Sequence, residues 1–358
     1  MSRSFPHNPH AIVKIERPGS DGQSLVIYDS WITKRLIKEI SVELTTNASS
    51  EGRVTVFDKD FRVIDAFSNY AGTAVITIYL GYGQDLGEPI FKGILAQFER
   101  GESDTTLVAY DMAYVMKKYK TSGYKNKKDD IAIIRELVTD PRNSTPDGNL
   151  LRFDGPESLG LEPYNAMTRD QRTDWEFMME RARAAGLVIF VRQDTVYARK
   201  PARTLGQRPA LKIRNRYHFF LSRNWDFVHR APENLDAKPK VVTVKRRGKG
   251  GKAIAGSSGE STNGREETII KRDSPAPTKA KLSKRAQAQK ELDREHVFEG
   301  RIQMQLPPNR IRVDYGNIVD VQGVGNLFSN MYVCRTISYR FQKGRLGLEL
   351  DIYRDIEE

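Results

Sequence analysis

Apolar and polar residues alternate along both ends of the chain, and this period of two constrains the fold more than any other feature. In segment 37–45 the alternation places Ile40, Val42 and Leu44 on one face. Segment 73–82 is apolar or aromatic on both faces, which is typical of a strand covered on two sides. Because side chains alternate between faces along a strand, these segments predict buried and half-buried strands. Residues 1–115 are therefore predicted to form an antiparallel β-barrel or β-sandwich.

Residues 116–205 change to a helical pattern. One helix is predicted to begin at Asp129 or Asp130, where apolar residues recur at helical spacing. A second begins at a capping box, in which Thr173 and Glu176 satisfy each other's backbone amides. It ends at Gly186, a residue suited to the left-handed conformation. A hairpin is predicted after it over 187–192 and 195–199. This part of the chain is interpreted as a small α/β insertion domain.

Strand patterns return in residues 206–358, which are predicted to form a second β unit. Glycine, serine and lysine dominate residues 246–277, and such a composition predicts a flexible basic loop. Residues 282–295, rich in Ala, Gln, Lys and Glu, predict an exposed charged helix. Strands are predicted over 211–213, 218–222, 241–245, 297–306, 317–323, 331–340 and 346–353.

The end of the first β region resembles the end of the chain in its order of elements. The earlier copy runs from Gly72 through strands at 75–78, 91–98 and 107–111. The later copy runs from Gly316 through strands at 318–321, 332–341 and 348–351. Identity between the copies is slight, so two interpretations stay open. Either one chain holds two copies of one β unit, or two β meanders agree by chance.

The chain is basic, but the excess charge is concentrated in one stretch. The net charge is +12, with 58 Lys and Arg against 46 Asp and Glu. Residues 240–296 contain 15 Lys and Arg against 7 Asp and Glu, which is most of the imbalance. The cluster could contact an acidic patch on a neighbouring subunit, remain solvated, or bind phosphates, although it lacks aromatic residues for stacking on bases. The candidate partner-binding residues are Lys245, Arg246, Arg247, Lys249 and Lys252.

No recognisable catalytic, cofactor or metal motif accompanies these patterns. The five histidines are scattered, and the single cysteine, Cys334, lies in an apolar strand pattern that predicts a buried, inert thiol. Nucleophile-elbow and phosphate-loop motifs do not occur. Adjacent carboxylates at 129–130, 266–267 and 357–358 are interpreted as exposed caps and tails. We therefore expect no enzyme activity, cofactor, metal site or small-molecule substrate. One cysteine and no apolar leader fit assembly in a reducing cytoplasm.

Three segments together are similar to a known family. They are 91–111 leading into Asp130, the run from Asp170 through the capping box to Tyr197, and 298–300 with 316–333. In this order they resemble the phage tail and baseplate hub proteins, which include the late control protein D group and the N-terminal half of type VI spike proteins.

That resemblance implies a fold and a role. The fold is mainly β, with two tail-tube-like antiparallel β-barrels, at 1–115 and 206–358, and the α/β insertion between them. The role is a non-enzymatic virion subunit of the tail baseplate, assembled in the host cytoplasm. Its partners would be two further copies of itself in a pseudo-sixfold homotrimeric ring, together with the tail tube, spike, wedge and tape-measure proteins. Genome DNA would pass through the lumen without sequence-specific binding.

Two other functions are weighed against this one. A nucleic-acid-binding protein would use the basic residues at 245–252. A peptidoglycan hydrolase associated with a tail tip would need two carboxylates held across a cleft.

Overall fold

A computed structural model describes residues 9–18, 24–29, 36–82, 87–125, 128–160, 167–204, 207–214, 224–229, 241–247, 253–258, 268–272, 283–284, 286–288, 298–306 and 312–354. Strands dominate this part of the chain, so the predicted mainly-β class is confirmed. The strands are β1 (Pro9–Glu16), β2 (Ser24–Asp29), β3 (Ile37–Leu44), β4 (Glu51–Phe57), β5 (Val75–Tyr82), β6 (Phe91–Arg100), β7 (Asp104–Asp111), β8 (Lys120–Lys125), β9 (Arg152–Asp154), β10 (Met167–Thr173), β11 (Val188–Arg192), β12 (Thr195–Arg199), β13 (Leu211–Arg214), β14 (Asn224–His229), β15 (Val241–Arg247), β16 (Ala253–Ser258), β17 (Thr268–Arg272), β18 (Phe298–Gln305), β19 (Ile318–Gln322), β20 (Met331–Gln342) and β21 (Arg345–Arg354).

Three α-helices are described from end to end, and their ends follow local chemistry. They are α1 (Arg62–Phe67), α2 (Asp130–Val138) and α3 (Asp174–Ala184). The Asp129 side chain accepts a hydrogen bond from the Ala132 amide at 2.7 Å and so caps α2. Both bonds of the predicted capping box are present at the start of α3. Helix α1 was not predicted. No helix in the described ranges is long and apolar enough to span a membrane.

One large sheet joins the two ends of the chain. Thirteen strands belong to it, with the order β14-β18-β21-β20-β3-β4-β7-β6-β5-β1-β2, and β19 and β13 branch from β20. The antiparallel pair β20–β3 is the junction between N-terminal and C-terminal strands. Three smaller sheets consist of β10-β8, of β11-β12-β9 and of β16-β15-β17.

Two hydrophobic cores follow from this arrangement. The larger core contains residues from both ends of the chain, for example Ile76 on β5 and Leu350 on β21, which are fully buried. The second core lies in the middle of the chain, where α2 and α3 pack over β11 and β12. Each buried aliphatic side chain stabilises the folded state by about 1.5–3 kcal/mol. Because both ends of the chain contribute side chains to the same core, their stability depends on that core.

The structure corrects two predictions in the C-terminal half. The segment 246–277, predicted as a flexible loop, contains strands β16 and β17, which pair with β15. Its composition suggested a loop, but pairing with a partner strand supplies backbone hydrogen bonds that composition does not reveal. The helix predicted at 282–295 is helical at 283–284 and 286–288, with Lys284 and Gln287 exposed as predicted, but Ala286 is fully buried. The strand predicted at 218–222 lies outside the described residues.

Candidate assembly interface

The large sheet contains the same strand order twice. In the first repeat, the order is β3-β4-β7-β6-β5-β1, and in the second it is β14-β18-β21-β20-β19-β13. All neighbouring pairs of both series are antiparallel except β19–β13, which is parallel where β5–β1 is antiparallel. The interpretation that one chain holds two copies of one β unit therefore outweighs chance agreement.

A shared irregularity aligns the two repeats residue by residue. The pairing of β6 with β7 shifts between Leu95 and Gln97, and the pairing of β20 with β21 shifts between Cys334 and Thr336. A β-bulge of this kind inserts one extra residue into a strand and is a specific feature of a fold. Leu95 is thus equivalent to Cys334.

Two glycines confirm this alignment. Gly72 and Gly316 have positive φ angles of 80° and 76°, a region that favours glycine. The Gly72 amide donates to the Leu95 carbonyl at 2.7 Å, and the Gly316 amide donates to the Cys334 carbonyl at 3.0 Å. The equivalent strands therefore begin with the same turn.

The alignment also exposes a sequence identity. Residues 51–53 and 299–301 both read Glu-Gly-Arg, and they occupy equivalent places on β4 and β18. A side chain at Gly52 would lie 2.8 Å from the ring of Phe91, and one at Gly300 would lie 2.6 Å from the ring of Phe227. An aromatic ring thus covers each glycine. This repeated tripeptide is a sequence signal of the repeat that the order of elements alone does not reveal.

The junction between the repeats is a fully packed strand pair. Val42 lies opposite Tyr339, and Ile40 lies opposite Phe341, on β3 and β20. All four side chains are fully buried. Cross-strand pairs of this kind are the unit of sheet stabilisation.

The equivalent of β3 in the second repeat, β14, lies at the end of the sheet. It pairs with β18, and within the described residues no strand pairs with its other edge. Trp225 on β14 is 44% exposed, whereas its equivalent Ile40 is fully buried. Val228 on the same strand is 46% exposed. An edge with exposed apolar residues is a template for pairing with another strand.

Aromatic residues brace β14 against the second repeat. The ring of Phe227 lies 5.5 Å from that of Phe328 and 5.6 Å from that of Tyr332. The ring of Trp225 lies 5.8 Å from that of Phe227. Aromatic pairs at these separations add about 0.5–1.5 kcal/mol beyond their buried area. These contacts hold β14 in place, and no described strand pairs with its outer edge.

A cleft lies where β6, β11 and the segment before β19 meet. It encloses about 590 Å³, open solvent at its mouth included. Two residues of its wall form ion pairs: Lys92 with Asp194 at 2.8 Å, and Arg192 with Asp314, also on the wall, at 2.7 Å. The charged groups of the wall thus link the middle of the chain to both repeats.

Asp111, at the end of β7, is the buried carboxylate of this cleft. Burial raises its pKa to about 6. Hydrogen bonds from the Ser50 amide at 2.6 Å and the Ala113 amide at 3.1 Å lower the pKa and so oppose part of this effect. The Ala113 bond holds the turn that follows β7, and the Ser50 bond ties this turn to the loop between β3 and β4.

The predicted partner-binding residues fall partly inside the described structure. Lys245, Arg246 and Arg247 lie on β15, the central strand of the sheet β16-β15-β17. Lys249 and Lys252 lie outside the described residues. The basic cluster thus begins on a strand rather than in a flexible loop.

Two residues noted for their chemistry have structural surroundings. Cys334 is fully buried, so the prediction of a buried cysteine is confirmed, and this burial raises the pKa of its thiol to about 12. Asp130 was interpreted as exposed, but it is 1% exposed, so that interpretation is wrong. Its Oδ1 atom lies 3.7 Å from the Nη1 atom of Arg181 on α3. The start of α2 at Asp129 and Asp130 is predictable from nearby residues, but the packing of α3 against Asp130 is not. The described residues contain no group of His, Cys, Asp and Glu that could hold a metal ion.

A family model named for the Alg8 N-terminal domain matches residues 31–341. The chain belongs to this family. The matching family is not the late control protein D group that the sequence segments resemble. No curated protein matches the chain.

Solved structures of phage tail proteins share the fold of this Alg8 N-terminal domain family member. The 43 kDa tail protein of prophage MuSo2 from Shewanella oneidensis is 12% identical, with a TM-score of 0.64 over 97% of this chain and 98% of that one. A tail protein from Neisseria meningitidis is 13% identical, with a TM-score of 0.67 over 96% and 97%. A component of the E. coli type VI secretion system, described as structurally similar to T4 tail proteins gp27 and gp5, is 8% identical, with a TM-score of 0.57 over 90% and 74%. The predicted resemblance is confirmed at the level of a phage-tail-like fold.

Proposed function

We propose that this chain is a structural hub subunit in the tail of a phage or phage-like injection machine. One observation carries the proposal: the chain contains two copies of one strand order, joined edge to edge through β3 and β20. Each repeat would be a tail-tube-like barrel half, with the middle of the chain as an insertion. Three chains would bring six repeats around one axis and would adapt a sixfold tube to a threefold spike.

The fold likeness supports the same assignment. Chains of nearly equal length among phage tail proteins cover almost the whole of this chain. The proposed partners are the tail tube, spike, baseplate wedge and tape-measure proteins, and the proposed location is the tail baseplate of a virion. DNA would pass through the ring without sequence-specific contacts, and no catalytic step is assigned.

The test is the mass of the purified chain by light scattering. The proposal predicts three times the chain mass of 40.8 kDa, alone or when a tube or spike partner is added. A monomer in every mixture would contradict it. Binding of duplex DNA with a steep salt dependence by such a monomer would favour the basic residues of β15 as a nucleic-acid site. Clearing of peptidoglycan in a zymogram would favour the hydrolase.

A further inference from the structure

The internal junction of the sheet has no second instance among the residues that the structure describes. At the junction, β20 of the second repeat pairs with β3 of the first. The strand equivalent to β20 is β6, and the strand equivalent to β3 is β14. Within the described residues, β6 and β14 do not pair with each other. In the described part of the chain, neither strand therefore has the partner that its equivalent possesses.

Neither edge is paired with another described strand at the required places. Strand β5 pairs with β6 only from Phe91 to Ile94, so no described strand pairs with the outer edge of residues 97–100. The outer edge of β14 is likewise unpaired by any described strand. The equivalent edge of β20, from Ile337 onward, is the one that β3 covers.

From these relations we infer that β6 of one copy pairs antiparallel with β14 of the next copy. This inference rests on the proposed ring and specifies its contact between subunits. Because the strand of one repeat meets a different strand of the other, the contact is head-to-tail and continues until the ring closes.

The bulge alignment sets the register of this contact. Phe98, Glu99 and Arg100 are equivalent to Ile337, Ser338 and Tyr339. These three β20 residues lie opposite Leu44, Glu43 and Val42 at the junction. The β14 equivalents of those β3 residues are His229, Val228 and Phe227. In the ring, Phe98 thus lies opposite His229, Glu99 opposite Val228, and Arg100 opposite Phe227.

Exposure along β14 agrees with this assignment. Trp225 and Ile40 occupy equivalent positions, and the β20 strand is what covers Ile40. Trp225, 44% exposed, is in the position that a neighbouring copy would cover. Large aromatic residues at such places carry a major share of interface energy.

The register is tested with a double variant that carries both Glu99→Cys and Val228→Cys. In the ring, a disulfide should join Cys at position 99 of one copy to Cys at position 228 of the next. Residues opposite each other in an antiparallel pair have Cα atoms about 4.5–5.5 Å apart, within the range for a disulfide. Oxidation should give covalent oligomers up to the closed ring, whereas a mixture of the two single variants should give only dimers. The native Cys334 is fully buried and adds no background.

The matched control carries Glu99→Cys together with Trp225→Cys. Trp225 lies three positions from Val228 on β14, so its side chain is on the opposite face of the strand. This control should give at least tenfold less covalent product. Equal yields in the two double variants would overturn the register. A chain that forms trimers without a link between residues 99 and 228 would overturn this pairing but leave the hub proposal standing. A chain that stays monomeric both alone and in every mixture with tube or spike partners would overturn both.

A second measurement uses charge instead of a covalent bond. Trp225→Glu should raise the dissociation constant of self-association at least tenfold. Leu150→Glu, which changes a residue 49% exposed in the middle of the chain, should leave it unchanged. Circular dichroism of both variants checks that the fold is retained. Equal effects of the two substitutions, or none from Trp225→Glu, would overturn the pairing.

Discussion

Tyr339 on β20 lies directly opposite Val42 on β3, at the centre of the junction between the repeats. Its hydroxyl group accepts a hydrogen bond from the Val313 amide at 2.9 Å and donates one to the Val313 carbonyl at 3.1 Å. Burial raises the pKa of this hydroxyl group, so it keeps its proton. The equivalent residue of the first repeat is Arg100, whose guanidinium donates to the Asp58 carbonyl at 2.9 Å. Both repeats thus use this strand position to fix the loop that follows β4 or β18.

Replacing Tyr339 by Phe should destabilise the chain by about 1–3 kcal/mol, because the Val313 amide and carbonyl lose a buried partner. The measurement is the free energy of unfolding in urea. Tyr119→Phe is the control, since Tyr119 is 63% exposed. Similar losses in both variants would mean that the hydroxyl group of Tyr339 does not stabilise the loop at Val313.

Replacing Gly186 by Ala should loosen the helical segment at 286–288. Gly186 follows α3 with a φ angle of 70°, and an added Cβ would lie 2.3 Å from the Ala288 carbonyl oxygen. Gly148→Ala has the same backbone problem, with a φ angle of 79°, but nothing lies within 4 Å of its Cβ. The difference between the two variants should be about 1–3 kcal/mol, the cost of overpacking. Faster hydrogen exchange at 286–288 in Gly186→Ala alone is the second expected result, and equal exchange in both variants would contradict it.

Replacing Arg169 by Met should destabilise the middle of the chain by about 3–5 kcal/mol, because it leaves the buried carboxylate of Asp174 without its ion-pair partner. Asn143, which donates to Asp174 at 2.7 Å, compensates only part of the charge. The control is Arg142→Met, which breaks an ion pair with Asp140 whose Arg side chain is 56% exposed. That exposed pair should contribute less than about 1 kcal/mol. Urea unfolding distinguishes the two, and equal effects would contradict the buried-pair account.

Stability should respond to pH through Asp111. Its folded-state pKa of about 6 lies above the ordinary value of 3.8, because burial penalises the charged form. The native state therefore binds more protons than the unfolded state between these values, and this contribution to stability is lost as pH rises from about 4 to about 6. Relative to Asp111→Asn, the unfolding free energy of the natural chain should fall on the order of 1–3 kcal/mol over this window. A difference that stays constant with pH would contradict the raised pKa.

The parts of the structure that follow from nearby residues were predictable from sequence. The capping box of Thr173 and Glu176 depends on residues three positions apart, and the alternation at Ile40 and Val42 depends on the strand itself. The features that were missed or corrected depend on distant partners. Strand β17 forms because β15 lies beside it, and Ala286 is buried in a segment that approaches Gly186. Composition in a window cannot reveal either contact.

The candidate interface was predictable only in outline. The order of elements suggested two copies of one β unit, but the pairing of β3 with β20 joins residues almost at opposite ends of the chain. Strand β14 was not predicted, although Trp225 and Phe227 alternate with a polar residue. Of the basic residues predicted to bind a partner, Lys245, Arg246 and Arg247 lie on β15, outside the edge that the repeat identifies, and Lys249 and Lys252 lie outside the described residues.

The central claim is that two repeats of one chain become equivalent positions in a closed ring. Electron cryomicroscopy of the purified assembly tests it most directly. The account predicts three chains and six similar β units around a common channel, with β6 of each chain beside β14 of the next. A closed assembly in which the two repeats of a chain lie at unrelated distances from the symmetry axis would contradict it.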